Sequence, residues 1–207
     1  METTEQITNL ILLINKLYIQ FNNRFYVDSS FHSFRVDKTS CSKALETDFL
    51  MDVPLYIQSL ETYKAKTISQ ACRSYLPFLR MRVKRYETVK RKLEAKSCDE
   101  KIFGGYPIEK VINDLMGFRV ILPEVNSQQD NINDILEQNK EEKIISRFYT
   151  RFDGDYHGVH CYFKQNNRTL PWELQIWDID DKSDNIRSHL EHEMKRSHIL
   201  KEGGYES

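Results

Sequence analysis

Apolar side chains recur at three- and four-residue steps over residues 5–23, where Ile7, Leu10, Ile11, Ile14, Leu17, Tyr18 and Phe21 fall on one stripe. That spacing predicts an amphipathic helix. Residues 24–48 are polar and aromatic without a sustained period, which predicts a loop with short helical pieces. A second helix is expected over 55–76, closed by Pro77. The period then switches. Phe78-Leu-Arg-Met-Arg-Val-Lys84 alternates apolar and basic side chains, the pattern of a strand. Residues 86–96 read as a helix rich in Lys and Arg, and 97–110 as a loop carrying Gly104, Gly105 and Pro107. Asp114 opens a strongly apolar strand that Pro123 stops; 128–139 is a polar helix; 143–149, 159–164 and 172–177 are three further strands; 183–201 is a last helix. No internal repeat is visible. Helices first, then strands with helices between and after them, predict an α+β (mixed α/β) fold, with spacing too irregular for an alternating barrel.

Composition narrows the class. The chain has 207 residues and a mass of 24.7 kDa, with 40% apolar and 29% charged residues, enough to bury a core in one domain with a helical arm. Lys plus Arg is 30 and Asp plus Glu 31, a formal charge of −1, which excludes a globally basic coat for nucleic acid. The longest apolar run, Leu10 to Ile14, is far short of the ~18 residues of a membrane span, and the acidic N-terminus lacks the basic start of a signal peptide. Four scattered cysteines, Cys41, Cys72, Cys98 and Cys161, form no CxxC and no zinc-type cluster, so reduced thiols and a cytoplasmic location are expected. Neither GxGxxG nor GxxxxGK[ST] is present.

Three local features carry chemistry. Residues 80–96 hold eight basic side chains against two acids, a net +6 that leaves −7 on the remainder. A strand showing Arg82 and Lys84, followed by a helix showing Thr88 and Lys92, suits a polyphosphate, although a solvated helix face explains most charge runs. Asp114 begins one strand and Glu173 lies in Trp172-Glu-Leu-Gln-Ile-Trp177, with Glu173 and Gln175 on one face. If those strands are neighbours, the two carboxylates can hold a magnesium ion against phosphate oxygens; otherwise they are unrelated groups on a half-buried sheet. Gly154-Asp-Tyr-His-Gly-Val-His160 suits a loop that stacks a base and touches a phosphate, and its histidines show no acidic partner at fixed spacing.

In this order the pieces resemble the synthetase domain of the RelA/SpoT family in its short stand-alone form, over about residues 78–196. Arg82, Lys84, Thr88 and Lys92 match its basic strand and helix; Asp114, Gly117 and Arg119 its Asp-x-x-Gly-x-Arg; Tyr156 and His160 its acceptor loop. Glu173, Gln175 and Ile176 match its Glu-x-Gln-Ile strand, and Leu190, Glu191 and His192 its closing helix. The resemblance implies a nucleotidyltransferase-like mixed sheet of about five strands flanked by helices over 78–201, behind a helical region at 1–77. It implies transfer of the β,γ-pyrophosphate of ATP to a ribose 3′-hydroxyl. Arg82 and Arg119 would sandwich the adenine, and Lys84, Thr88 and Lys92 would bind the phosphates. Asp114 and Glu173 would hold Mg2+, Glu173 also assisting deprotonation. Tyr156 would stack on the acceptor base, with His160 on its phosphate side and Gln175 nearby. The acceptor half departs from the family. Its upstream lysine is missing, with Arg147 or Arg151 as substitutes, and the usual Arg-Thr after Glu-x-Gln-Ile is Trp177-Asp178. The resemblance therefore implies either GDP or GTP as acceptor, giving a guanosine alarmone, or the 3′ end of tRNA, as in toxin-type members that block translation and have an antitoxin partner. A catalytically inactive nucleotide- or RNA-binding module is the third reading. A homo-oligomer through the N-terminal helix, and synthesis without hydrolysis, are further expectations.

Overall fold

The computed structural model describes residues 2–27, 34–103 and 105–202; Gly104 and the side chain of His192, both singled out above, lie outside the described residues. Helix α1 (Thr3–Phe25) buries the stripe from Ile7 to Phe21 that its period foretells. Helix α2 (Cys41–Leu45) is capped by Ser40, whose hydroxyl accepts from the Lys43 N–H at 3.2 Å. Helix α3 (Phe49–Tyr63) begins six residues before the expected 55, taking Pro54 inside rather than starting after it. The lost Pro54 N–H is tolerated because Phe49, Val53 and Tyr56 on that stretch are fully buried. The chain then loosens through a π-type turn at Lys64–Ile68, the short α4 (Ser69–Ala71) and a 3-10 turn at Arg73–Tyr75, ahead of Pro77.

The sheet follows. Strands β1 (Leu79–Val83), β2 (Met116–Leu122), β3 (Arg147–Asp153), β4 (Tyr156–Phe163) and β5 (Trp172–Asp178) form one sheet in the order β1-β2-β5-β4-β3. The β2–β5 pair is parallel and the other three pairs are antiparallel. Helices α5 (Tyr86–Phe103), α6 (Ile108–Val111), α7 (Gln129–Glu141) and α8 (Lys182–Glu202) complete the mixed α/β fold. No helix among the described residues is long and apolar enough to cross a membrane.

Four expectations are corrected. Residues 97–103 continue α5 instead of forming a loop, because the glycine breakers come only afterwards. Strand β3 starts at Arg147 rather than 143, since the chain turns at Lys143, whose φ is +61°. The glycine-bracketed loop is a hairpin: Asp153 pairs with Tyr156, so only Gly154 and Asp155 turn, and Tyr156 to His160 are strand. Gly154 holds φ +60° at the first turn position, where glycine is favoured. Asp114 lies two residues ahead of β2 in the irregular segment before it, not at the strand's start.

One face of the sheet is core. Trp172 meets Tyr18 at 5.2 Å and Phe21 at 5.7 Å between ring centroids, and its Nε1 donates to the Tyr56 hydroxyl at 3.1 Å. Phe118, Leu174, Ile176 and Cys161 share this buried side, at no more than 1% exposure. Each fully buried Ile or Phe of this kind contributes roughly 1.5–3 kcal/mol. A polar face is left on the other side.

Candidate active site

Register partners point to the same side of a sheet. Arg80, Arg119, Gln175, His160 and Tyr149 therefore form one row across all five strands, and Arg82, Gly117, Glu173, Tyr162 and Arg147 form the next. Period-two alternation in each strand puts these polar residues opposite the core. The antiparallel β1–β2 pair and the antiparallel β5-β4-β3 unit, joined by the parallel β2–β5 contact, bring the rows together. A cavity of about 100 Å³ opens between them, lined by Arg80, Arg82, Gly117, Arg119, Glu173 and Gln175.

At the β1 end the charges converge on Asp114, which is 7% exposed. Lys84 donates to its Oδ2; Arg82 Nη2 lies 3.5 Å from Oδ2, and Lys92 Nζ 3.6 Å from Oδ1. Burial alone would raise the Asp114 carboxyl, but Lys84 and Lys92 together hold it below the usual range. Burial lowers Lys84 to about 8, against the pull of Asp114. Thr88, one turn before Lys92 on α5, is half-buried.

Glu173, 5% exposed, sits in a different setting, without lysine or arginine among its hydrogen-bond partners. Its Oε1 takes Tyr162 O–H at 2.8 Å and faces His160 Nδ1 at 2.9 Å, while its Oε2 takes Gln175 Nε2 at 3.0 Å. Burial would raise this carboxyl; the hydrogen bond and electrostatic pull of His160, and then the Tyr162 hydrogen bond, outweigh it and hold Glu173 below its usual range. His160 Nε2 lies 2.8 Å from the Tyr156 hydroxyl, which also accepts from Trp177 Nε1 at 3.0 Å. Both histidines thus have acidic partners in space that sequence spacing hid: His160 has Glu173, and His157 has Asp181 at 3.0 Å.

Arg119 lies flat on Trp177, its guanidinium carbon 3.7 Å from the ring centroid. Its Nε donates to Gln175 Oε1 at 3.0 Å, and its Nη2 is 3.0 Å from His189 Nε2. Burial first, then the Arg82 charge, lowers Arg119 to about 10. His189, on α8, stacks over Trp177 at 5.6 Å and is pushed down to about 4 by burial and then by Arg119.

The acceptor-side residues are placed unevenly. Tyr156 is 4% exposed and its hydroxyl is committed, and His160 is equally buried. In the polar row the aromatic ring offered to solvent is Tyr149, 40% exposed, parallel to the His160 ring at 5.3 Å. Arg147 lies 4.1 Å over the Tyr162 ring, and Arg151 lies 5.4 Å from the Tyr156 ring while pairing with Asp153. Tyr149, Tyr162, Arg80 and His189 escaped sequence reasoning. Alternation along β3 and β4 carried a signal for the two tyrosines; a single histidine on a polar helix carried none for His189.

A magnesium ion fits this donor set. Asp114 Oδ1 is buried and accepts no hydrogen bond, an oxygen left over for a cation. Among the described residues no three His, Cys, Asp or Glu side chains form a closed cage. Asp114 and Glu173 would therefore hold the ion together with oxygens from a bound phosphate chain, the usual manner of magnesium.

Among curated proteins none matches the chain. A crystal structure of small alarmone synthetase 2 from Bacillus subtilis aligns at 23% identity and TM-score 0.36, covering 74% of this chain and 81% of that one. Small alarmone synthetase 1 from Bacillus subtilis aligns at 19% identity and TM-score 0.37, covering 75% and 81%. The same synthetase bound to AMPCPP aligns at 18% identity and TM-score 0.32, covering 73% and 78%. A family profile described as the region found in RelA / SpoT proteins matches residues 81–197, which contain every strand partner of the two polar rows except Arg80. That match spans more than half of the chain, and the chain belongs to the RelA/SpoT family.

Proposed function

We propose that the chain is an ATP-dependent pyrophosphotransferase that moves the β,γ-pyrophosphate of ATP to the ribose 3′-hydroxyl of GDP or GTP. The observation that carries this reading is the unequal setting of two buried carboxylates on one floor. Asp114 lies among Arg82, Lys84 and Lys92, whereas Glu173 is held by His160, Tyr162 and Gln175. The cationic end suits the triphosphate, with Lys84, Lys92 and Thr88 on phosphate oxygens. Arg82 and Arg119 offer planar guanidinium groups to the adenine. Magnesium, when bound, supplies charge neutralisation at the phosphates.

The acceptor 3′-oxygen forms a bond to the β-phosphorus, the bond from that phosphorus to the α,β-bridging oxygen breaks, and AMP leaves. The hydroxyl proton passes to Glu173 as the new bond forms. Such a transfer asks the protein mainly for in-line positioning and fixed charge.

The test uses ATP labelled at the γ-phosphate, magnesium and purified full-length protein, with GDP, GTP and deacylated tRNA offered separately. Label on a guanosine nucleotide with an equal amount of AMP is the expected result. Neither AMP nor a labelled acceptor would remove the reading.

A second acceptor is favoured by one observation. Arg147, Tyr149 and Arg151 alternate along an edge strand, all exposed, and a basic–aromatic–basic ladder suits single-stranded nucleic acid. On this reading the acceptor is the 3′ end of tRNA and expression arrests growth until an antitoxin binds. Label on tRNA alone, lost in Arg147→Glu and Arg151→Glu variants, identifies it.

A further inference from the structure

We infer that His189, on α8, is a positioning residue of the donor half of the site: its Nε2 accepts a hydrogen from Arg119 Nη2 and holds that guanidinium at the tilt in which it meets the adenine of ATP. The inference rests on reading the site as a pyrophosphotransferase centre with Arg119 on the adenine.

Arg119 carries a planar cation, so its orientation decides what can stack on it. Trp177 covers one face at 3.7 Å, which fixes the plane but lets the group turn within it. Gln175 Oε1 takes the Nε hydrogen at 3.0 Å, close to the side-chain stem, and leaves that point a pivot. The bond from Nη2 to His189, also 3.0 Å, lies at the far end of the guanidinium and stops the turn. A stop is needed because the like charge of Arg82 acts on Arg119. Both acceptors are neutral groups, so the charge of Arg119 is left for the face of a base.

Donor counting sets the roles. A guanidinium only donates, so the ring nitrogen that faces Nη2 accepts. His189 is suited to this, since burial and then the Arg119 charge push it down to about 4 and leave it uncharged near neutral pH. Its ring is held between two aromatic walls, Tyr156 edge-on at 5.6 Å and 90°, and Trp177 at 5.6 Å and 28°.

The helix is fastened to the sheet one turn earlier. Asn185 is fully buried; its Oδ1 accepts the His157 N–H at 2.8 Å and its Nδ2 donates to the His157 carbonyl at 2.7 Å. Residues four apart share a helix face, so the anchor at Asn185 sets where His189 points. Arg119 lines the cavity between the polar rows and His189 does not, so His189 acts through Arg119 and not on substrate. Lys84 and Lys92, by contrast, gather on Asp114, so base and phosphates are met by separate groups.

The test separates base from phosphates. Full-length wild type, His189→Ala and His189→Gln are titrated calorimetrically in magnesium with AMPCPP, an ATP analogue that cannot transfer its pyrophosphate, and with inorganic triphosphate. His189→Ala is expected to weaken AMPCPP about tenfold and to leave triphosphate within about twofold of wild type. His189→Gln, whose amide oxygen can accept from Nη2, should stay within about threefold for both probes. In label transfer the loss appears in the KM for ATP, with the kcat of His189→Ala within about twofold of wild type. Unchanged AMPCPP affinity in His189→Ala overturns the inference, as does a glutamine variant no better than alanine. Tighter AMPCPP binding overturns it too, because His189 would then occupy the place of the adenine. Equal weakening of both probes with a lower Tm marks a packing residue and has the same consequence. A wild type that binds no AMPCPP removes the pyrophosphotransferase reading instead, and the guanidinium spectrum then decides the His189 contact on its own. In 15N-labelled protein, with Arg119→Lys for assignment, the Arg119 Nη hydrogens should be resolved by hindered rotation in the wild type and merged in His189→Ala. Merged signals in the wild type, or resolved ones in His189→Ala, overturn the inference.

Discussion

Lys84 donates a hydrogen bond to Asp114 where both side chains are about nine-tenths closed to solvent, at 9% and 10% exposure. Arg82 and Lys92 stand beside the same carboxylate but keep 50% and 33% of their side chains in water. One buried anion therefore meets one buried and two wet cations, a surplus of positive charge, and Arg82 among them lines the cavity. Asp114→Asn keeps the shape and removes the charge. It should lower kcat on the order of a hundredfold, the scale of losing a fixed charge that acts on the transition state, while the uncovered cations keep the KM for ATP equal or lower it. Label transfer with an ATP titration checks this; a variant keeping a tenth of wild-type kcat would sink the role given to Asp114.

Glu173→Gln makes a different kind of break. The native carboxylate receives three hydrogen bonds, from His160, Tyr162 and Gln175. A glutamine amide brings two hydrogens of its own into that ring of donors, so at least one buried donor loses its acceptor at a cost of about 1–3 kcal/mol. For a chain of this length each kcal/mol lowers Tm by about 2–4 °C. Thermal unfolding should therefore show a clear drop in Tm together with loss of label transfer. An unchanged Tm would mean that the three bonds do not hold Glu173 as described.

Much of this was legible in the sequence because it rests on period and order. The helical stripe of α1, the alternation of β1 and the apolar run into β2 each appear where the pattern puts them. Arg82, Lys84, Lys92, Asp114 and Glu173 are brought together because β2 and β5 are parallel neighbours, a condition that sequence could state but not decide. What stayed hidden depends on partners distant in sequence. The His160–Glu173 and Trp177–Tyr156 contacts cross strands, and His189 reaches Arg119 from a helix seventy residues away. The hairpin at Gly154 reads as a longer loop in the sequence because a glycine marks a turn but not where the strand resumes.

Gly158→Ala tests the floor under Arg119 without removing a polar group. Its Cβ would lie 2.8 Å from Trp177 Cδ1, so the indole must move, and Trp177 has no free space because it is fully buried. Overpacking of this kind costs typically about 1–3 kcal/mol. The variant should lose Tm and also weaken ATP, since the Arg119 shelf shifts with the ring. Tryptophan fluorescence should change as the indole environment changes. An alanine variant with wild-type Tm and wild-type KM for ATP would show that the indole is not wedged against position 158.

His189 sets a pH dependence of stability with a defined sign. It is held down to about 4 in the fold by burial and then by the charges of Arg119, Arg82 and Arg151. An unfolded histidine titrates near ~6.5. Between those values the unfolded chain binds a proton that the folded chain refuses, so stability is complete above ~6.5 and is lost as pH falls toward about 4. His189 is only half-buried, which screens the charges and makes the loss smaller than a fully buried group would give. Denaturant midpoints of the wild type should therefore fall between pH 7 and pH 4.5. The same midpoints in His189→Gln should fall less, because glutamine cannot take the proton, while other titrating groups act equally on both proteins. Identical pH profiles for the two proteins would show that His189 is not the neutral lid over Arg119 and Trp177 that its position describes.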